Sequence, residues 1–262
     1  MKNDTIIITS SLLFTIAFVF AFLIYESGFV ISGLMRELNP ILYHNTMSYT
    51  HISDPADYIA FGGGPALILV AGLLVFITLK FFEFKNGILR LFLTWFSFIC
   101  FTLFLIQLPV IPFTKGGDLA RFLSNFQIPI ELKFLLAGSG ILLIILLGLM
   151  YGRIFLSFAP SEEVISGVGK RRIFILKIAL IPWLFGALFS LPFRVPPFSV
   201  HYLMLPFITG QATVWSLIGA YKKVKIKMRG LNSTASAIFQ LLVVLVLLLI
   251  FFQLGLTEGI KF

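Results

Sequence analysis

This chain is expected to be an all-α polytopic membrane protein with about seven transmembrane helices. Of its 262 residues, 59% are hydrophobic and 12% are charged, and the mean hydropathy is +1.03. Charged residues make up about a quarter of an ordinary soluble domain. The apolar residues form long stretches separated by short, mostly basic segments, and stretches of about 20 apolar residues match the roughly 30 Å hydrocarbon core of a bilayer. A water-soluble core is therefore excluded.

The predicted membrane spans follow these stretches in chain order. They lie near residues 5–24, 58–80, 88–112, 133–157, 173–192, 200–221 and 236–255. The apolar run of the first is too long for a signal peptide, so this span is expected to be retained as an anchor. The fifth and sixth are the weakest, because each proline removes a backbone donor from a helix. The prolines concerned are Pro182, Pro192, Pro196 and Pro197.

The basic residues predict how the spans are oriented. With seven spans, most of the 20 lysines and arginines fall on the side that holds the amino terminus. The positive-inside rule then predicts a multi-pass protein of the cell membrane with a cytoplasmic amino terminus, and with outward-facing loops at residues 36–57 and 113–132. This distribution accounts for the net charge of +9. The lipid bilayer, and not nucleic acid, is the expected partner of these charges.

A short polar insert follows the first span, from Arg36 to Asp57. It has no long apolar run, but Ile41-Leu42-Tyr43 and the stretch from Met47 to Ile52 are rich in β-branched and aromatic residues. Short runs of such residues favour strands, so the insert is predicted to contain β-structure. The only cysteine, Cys100, lies in an apolar span, which leaves no disulfide and no four-thiolate metal site within one chain.

A carboxylate at the end of the first apolar stretch needs an explanation. Glu26 stands in the run Tyr25-Glu26-Ser27-Gly28-Phe29, and an ionised group at the centre of a membrane helix costs about 2.5 to 3.5 kcal/mol. In a helix, positions 25 and 29 share a face. The run resembles the His-Glu-x-x-His helix of site-2-protease-type intramembrane zinc metalloproteases. The resemblance implies that Glu26 matches the general base of that family.

Two further segments extend the resemblance in the same order along the chain. Gly62-Gly63-Gly64-Pro65 is similar to the small-small-Pro element of the family. The stretch from Gln107 to Gly117 is similar to its Asn-x-x-Pro and Leu-Asp-Gly region, whose aspartate is the third zinc ligand. The resemblance implies a site-2-protease-like three-helix core over residues 1–120. A four-helix carboxy-terminal extension over residues 121–262 would complete one integral membrane unit.

The residues at the ligand positions predict that the zinc is lost. Tyr25 and Phe29 stand at the two histidine positions, and Lys115 stands at the aspartate position. A catalytic zinc needs three protein ligands drawn from imidazole, carboxylate or thiolate. No metal and no other cofactor is therefore expected, and Glu26 has no metal-bound water to activate. The register of the third segment is open by a few residues, so that Asp118 can take the ligand position instead.

Four residues are candidates for a binding site in place of a catalytic one. They are Glu26, Lys115, Gln107 and Asp118. One hypothesis is that Lys115 approaches Glu26 and neutralises it inside the helix bundle. The alternative is that both side chains reach the membrane interface separately.

The expected function is that of a non-catalytic multi-pass membrane protein, a pseudoprotease by resemblance, which binds or scaffolds another membrane protein. Two alternatives stay open. One is a small-molecule or ion conduit, or an accessory subunit of a membrane complex. The other is an atypical membrane metalloprotease that would use Glu26 together with His44 and His51 of the insert as metal donors.

Overall fold

The computed structural model describes residues 3–52, 54–195, 200–221, 230–231 and 234–262, so that Pro196 and Pro197 lie outside the described residues. Ten α-helices occur in these ranges: α1 Asn3–Leu34, α2 Gly63–Phe81, α3 Gly87–Leu105, α4 Asp118–Ser124, α5 Ile130–Leu156, α6 Val168–Ile175, α7 Ile181–Ser190, α8 Val200–Gly210, α9 Thr213–Gly219 and α10 Ala235–Ile250. Shorter elements are the strands β1 Pro40–Leu42, β2 Met47–Tyr49 and β3 Ile260–Lys261, the 3-10 helices Pro55–Gly62, Glu162–Ile165 and Leu191–Arg194, and the π-helical turns Leu176–Leu180 and Phe251–Gly255.

The predicted fold class is confirmed. In the described part of the chain, six helices are long and apolar enough to cross a membrane. They are α1, α2 with the 3-10 helix before it, α3, α5, the continuous helix from α6 to Arg194, and α10 with the π turn after it. The chain is therefore a multi-pass membrane protein.

The small sheet shows that a seventh crossing accompanies these six. Strand β3, near the end of the chain, pairs with β1 in the insert after α1. The end of the fifth long helix lies on the same side, because Asn45 Nδ2 donates to the carbonyl of Arg194 at 3.3 Å. The chain must return across the membrane between Arg194 and α10. The described helices in that interval are α8 and α9, so this pair makes the sixth crossing.

The sixth crossing is broken, as expected for one of the two weakest predicted spans, although Pro196 and Pro197, on which that expectation partly rested, lie outside the described residues. Pro206 lies inside α8, and a turn at Gln211 and Ala212 separates α8 from α9. Helix α9 packs closely on α5, because a Cβ added at Gly152 would lie 2.7 Å from the carbonyl oxygen of Ser216. The Ser216 hydroxyl also donates to the carbonyl of Gly148 at 3.0 Å. Small residues thus hold the short helix against a long one, as is usual in membrane bundles.

Helix α1 is the central element of the bundle. It packs against α2 and α3, and also against α7 and α10. The predicted span 5–24 ends ten residues before the helix does, since α1 continues through the polar run to Leu34. Ser27 and Ser32 donate to the carbonyls of Leu23 and Gly28 within α1, which satisfies their hydroxyl groups inside the bundle.

A series of hydrogen bonds joins α1, α3 and the long helix that contains α7. Pro182 has no N–H to offer the carbonyl of Ile178 four residues earlier. The Ser10 hydroxyl donates to that carbonyl at 2.6 Å, and Trp95 Nε1 donates to the Ser10 oxygen at 2.9 Å. All of these groups are buried, and in a membrane interior an unpaired polar group is costly. The proline-containing fifth span is therefore stabilised by side chains of two other helices.

The insert contains the predicted β-structure. Strands β1 and β2 form an antiparallel hairpin, and the Tyr43 N–H donates to the carbonyl of Thr46 at 2.8 Å across its turn. The third strand, β3, was not predicted, because two residues after a membrane helix carry no alternation pattern. The sheet order is β2-β1-β3.

Candidate functional site

The candidate site lies where α1 meets the start of α4. The Tyr25 hydroxyl donates a hydrogen bond of 2.6 Å to Oδ2 of Asp118, and Tyr25 is buried. Asp118 is the first residue of α4, after an extended Gly117. The structure thus brings Asp118, and not Lys115, to the position beside Tyr25.

Gln107 joins the end of α3 to the start of α4. Its amide nitrogen donates to the carbonyl of Leu103 at 3.0 Å, and its Oε1 accepts from the N–H of Leu119 at 3.2 Å. The first N–H groups of a helix have no partner within the helix, so Gln107 supplies an acceptor that α4 needs. Gln107 therefore fixes the helix that carries Asp118.

The glycine segment packs against the same face of α1. The Tyr25 and Phe29 rings meet edge to face, with centroids 4.9 Å apart. A Cβ added at Gly64 would lie within 3 Å of the Phe29 ring, and one added at Gly63 would overlap the carbonyl oxygen of Gly28. Only glycines allow α2 to start this close to α1. The three segments that carry the family resemblance therefore meet at one place.

Helix α4 is held over this place by the 3-10 helix that precedes α2. The Arg121 guanidinium lies 4.7 Å from the centroid of the Phe61 ring, and the Phe122 ring faces Gly62. Phe61 in turn contacts Phe29, with centroids 6.3 Å apart. Aromatic and cation–π contacts of this kind each contribute about 0.5 to 1.5 kcal/mol. They keep Asp118 against α1.

Glu26 is buried in the bundle, with 6% of its surface exposed. The charged groups that act on it electrostatically are the carboxylate of Asp118 and the guanidinium of Arg194. Arg194 itself is 1% exposed and ends the 3-10 helix after α7. Its guanidinium lies 3.7 Å from the centroid of the Phe22 ring, in a stacked position that arginine favours.

The insert also contributes to the Arg194 environment. Arg194 Nη1 donates to the carbonyl of Asn45 at 3.4 Å, and the Asn45 amide donates back to the carbonyl of Arg194. Sequence reasoning missed both residues, because they come from segments about 150 positions apart. The one available signal was a single arginine at the end of a proline-broken span.

Lys115 lies away from this cluster. It is exposed in the loop between α3 and α4, and its ammonium group forms no ion pair with Glu26 in the described structure. This placement agrees with the alternative in which Lys115 reaches the interface on its own. Glu26 does not do the same, because it stays buried.

The two histidines of the insert lie in different environments. His44 is buried in the hairpin turn, where its backbone N–H donates to the carbonyl of Leu256, whereas His51 is exposed after β2. Among the described residues, no group of three or more His, Cys, Asp or Glu side chains is arranged to hold a metal ion.

Tyr49 fastens the sheet to the helices at this site. Its hydroxyl donates to the carbonyl of Phe29 at 2.9 Å and lies 3.4 Å from the carbonyl of Ala60. Burial raises the pKa of Tyr49 to about 12. The neutral hydroxyl is therefore the form that the fold stabilises, because only that form can donate to a carbonyl.

No protein-family model, no curated protein and no solved structure matches this chain. The chemistry of the site must therefore be argued from its own residues. Tyr25 and Phe29 offer no nitrogen or carboxylate donor to a metal, and the Tyr25 hydroxyl already donates to the one nearby carboxylate of α4. The arrangement is suited to holding helices and charges in place.

Proposed function

We propose that this chain is a non-catalytic membrane protein, built on a degenerate site-2-protease-like core, that binds another membrane protein. The observation that supports the proposal best is the hydrogen bond from Tyr25 to Asp118. It lies where the resemblance would put a metal between an imidazole and a carboxylate. A hydroxyl group that donates to the carboxylate replaces the metal. The helices of the core would then stay packed as in the protease family, but without metal-dependent hydrolysis.

A restoration experiment tests the resemblance. In the variant Tyr25→His/Phe29→His, the two imidazoles together with the Asp118 carboxylate would supply the three ligands of a catalytic zinc. We expect the purified variant to hold one zinc ion per chain by elemental analysis, and the wild type to hold none. The matched control adds Asp118→Ala to the same pair and should lose the zinc. A restored variant without zinc, or a control that keeps it, would contradict the resemblance.

The partner surface is proposed to be the free edge of β2. Because β2 ends the sheet, one of its sides is paired with no strand in the described structure. Tyr43 and Thr46 form a hydrogen-bonded pair next to the turn, and such pairs alternate along an antiparallel hairpin with pairs whose backbone groups point outward. The backbone N–H and C=O groups of Met47 and Tyr49 therefore point to the free side of β2. Unpaired strand edges accept extended segments of other proteins. We infer that an extended segment of a membrane protein adds to β2.

Site-specific crosslinking tests the partner surface. The only native cysteine, Cys100, is buried, so a cysteine introduced at exposed Ser48 would be the one reactive thiol. We expect Ser48→Cys to give a discrete adduct in native membranes, and Ser124→Cys, an exposed serine on α4, to give none. Adding Met47→Pro removes a free edge donor and should lower the adduct yield. The same adduct from Ser124→Cys would refute this surface.

We also propose that the protein lies in the cell membrane with its amino terminus in the cytoplasm. The support is the excess of lysine and arginine on that side, as the positive-inside rule requires. A membrane-impermeant maleimide added to intact cells should label Ser48→Cys. Lys85→Cys should be labelled only after the membrane is opened. The reverse pattern would invert the proposed orientation.

A further inference from the structure

A cavity of about 270 Å³ lies near the start of α1, at the other end of the molecule from the Tyr25 site. Its walls come from α1, from the 3-10 helix Glu162–Ile165 and from the start of the fifth long helix. The apolar walls include Ile6, Val164, Ile173 and Phe174. Two lysines, Lys170 and Lys177, also line it. The cavity therefore combines an apolar surface with two positive charges.

The two lysines can direct their ammonium groups to one point. They are seven residues apart, which is about two helical turns, and both face the cavity. The Cα–Cβ bonds of a helix tilt toward its amino terminus, so the long side chain of Lys177 can extend back toward the level of Lys170. Lysines near the ends of membrane helices extend in this way toward the headgroups.

Neighbouring carboxylates do not neutralise these two lysines in the described structure. Lys170 Nζ donates to the backbone carbonyl of Glu163 at 3.3 Å. Neither lysine forms an ion pair with a carboxylate in the described structure. The adjacent arginines are engaged elsewhere: Arg171 donates to the carbonyls of Ala220 and Tyr221, and Arg172 stacks on the Tyr221 ring.

We propose that this cavity binds one anionic phospholipid. Its phosphate would contact the ammonium groups of Lys170 and Lys177, and its acyl chain would lie along Ile173 and the neighbouring apolar wall. Ile173 is 53% exposed, so an acyl chain can reach the apolar wall beside it. Charge complementarity selects the headgroup, because a zwitterionic lipid would bring its own cation toward two lysines. The site is independent of the function proposed for the Tyr25 region.

Native mass spectrometry of the purified full chain in detergent tests this proposal. The probes are phosphatidylglycerol and phosphatidylcholine with the same acyl chains. We expect one phosphatidylglycerol to stay bound to the wild type, with an apparent Kd at least tenfold lower than that for phosphatidylcholine. Equal retention of the two lipids would overturn the proposal without any variant.

Matched variants locate the site. Lys170→Gln/Lys177→Gln should weaken phosphatidylglycerol binding at least tenfold, and Lys170→Arg/Lys177→Arg should keep it. The control, Lys80→Gln/Lys85→Gln, removes two exposed lysines outside the cavity and should leave binding unchanged. Equal losses from the two glutamine pairs would show an unspecific attraction between basic protein and acidic lipid, and would overturn the site.

Competition with inorganic phosphate distinguishes a lipid-binding site from a site for a free anion. Inorganic phosphate at the same phosphate concentration should not displace the lipid, because it gains nothing from the apolar wall. Ile173→Ser keeps both lysines and should weaken lipid binding severalfold. Displacement by inorganic phosphate, or full binding by Ile173→Ser, would indicate an anion site and refute a lipid site. Size-exclusion profiles and melting temperatures should match for all variants.

Discussion

The Tyr25 hydroxyl donates a 2.6 Å hydrogen bond to the Asp118 carboxylate across the contact between α1 and α4. A hydrogen bond to an ionised acceptor is shorter and about twice as strong as one between neutral groups. Its low exposure strengthens it further, because water does not compete. The bond ties the amphipathic helix α4, which is short, to the central helix of the bundle.

Replacing Tyr25 by phenylalanine removes this donor and keeps the ring. We expect Tyr25→Phe to lower the free energy of unfolding by about 1.5 to 3 kcal/mol, the range for hydrogen bonds to charged groups. Reversible denaturant unfolding in detergent micelles measures it. Tyr58→Phe, which removes the hydroxyl of a partly exposed tyrosine, should change stability by less than about 0.5 kcal/mol. Equal effects of the two changes would deny the bond a role in stability.

The sequence predicted the membrane architecture well, because hydropathy and charge act locally along the chain. It predicted about seven crossings, and residue types alone indicated strands at Ile41-Leu42-Tyr43 and from Met47 to Ile52, where the structure has Pro40–Leu42 and Met47–Tyr49. The end of α1 was placed too early at residue 24, because the polar run that follows carries no apolar signal. That run is helical since the hydroxyl groups of Ser27 and Ser32 bond to the helix backbone and its remaining face is buried.

The site could be predicted only in part. Spacing placed Tyr25, Glu26 and Phe29 on one helix, and the order of the segments that resemble the site-2-protease type suggested that Gln107 and Asp118 lie near it. The electrostatic influence of Arg194 on Glu26 could not be found this way, because it arises from the packing of α7 on α1. Such a contact depends on how distant helices meet. No local pattern distinguishes Arg194 from an arginine at a membrane interface.

A double-mutant cycle tests the pairing of Arg194 with Glu26. Arg194→Met should lower the free energy of unfolding by about 1 to 3 kcal/mol, because it removes a buried cation that acts electrostatically on Glu26 and loses the hydrogen bond that Arg194 donates to the carbonyl of Asn45. Arg194→Met/Glu26→Gln should recover part of this loss, with a coupling energy of about 0.5 to 3 kcal/mol. Unfolding in mixed micelles gives all four corners of the cycle.

Lys115→Met is the control for this cycle, since Lys115 is exposed. We expect it to change stability by less than about 0.5 kcal/mol, and to show no coupling to Glu26→Gln. Additive effects of the Arg194 and Glu26 changes would argue against the buried pair. Coupling to Lys115 instead would restore the hypothesis that Lys115 neutralises Glu26.

Tyr49 predicts a specific loss of stability at alkaline pH. Its pKa is raised by burial to about 12, from an ordinary value of 10.0. A raised pKa means that the folded state favours the neutral hydroxyl, so the contribution is complete below pH 10.0 and is lost as the pH rises through about 12. The melting temperature of the wild type should exceed that of Tyr49→Phe at about pH 8, and the gap should close above pH 10.0. A gap that stays constant to about pH 12 would contradict this assignment.

The close approach of Gly28 and Gly63 predicts that no side chain is tolerated there. A Cβ added at Gly28 would overlap the carbonyl of Gly63, and backbone atoms cannot move aside as a flexible side chain can. Overpacking a well-packed interior costs about 1 to 3 kcal/mol or more, so Gly28→Ala should lower the free energy of unfolding by at least this amount. Gly138→Ala in α5, where a Cβ meets nothing within 4 Å, should be neutral or slightly stabilising, because alanine has the higher helix propensity.

Since Gly28 lies between Tyr25 and Phe29, adding Gly28→Ala to Tyr25→His/Phe29→His should abolish zinc binding, whereas adding Gly138→Ala to the same pair should preserve it. Equal stability of the two alanine variants would mean that α1 and α2 do not meet at these glycines.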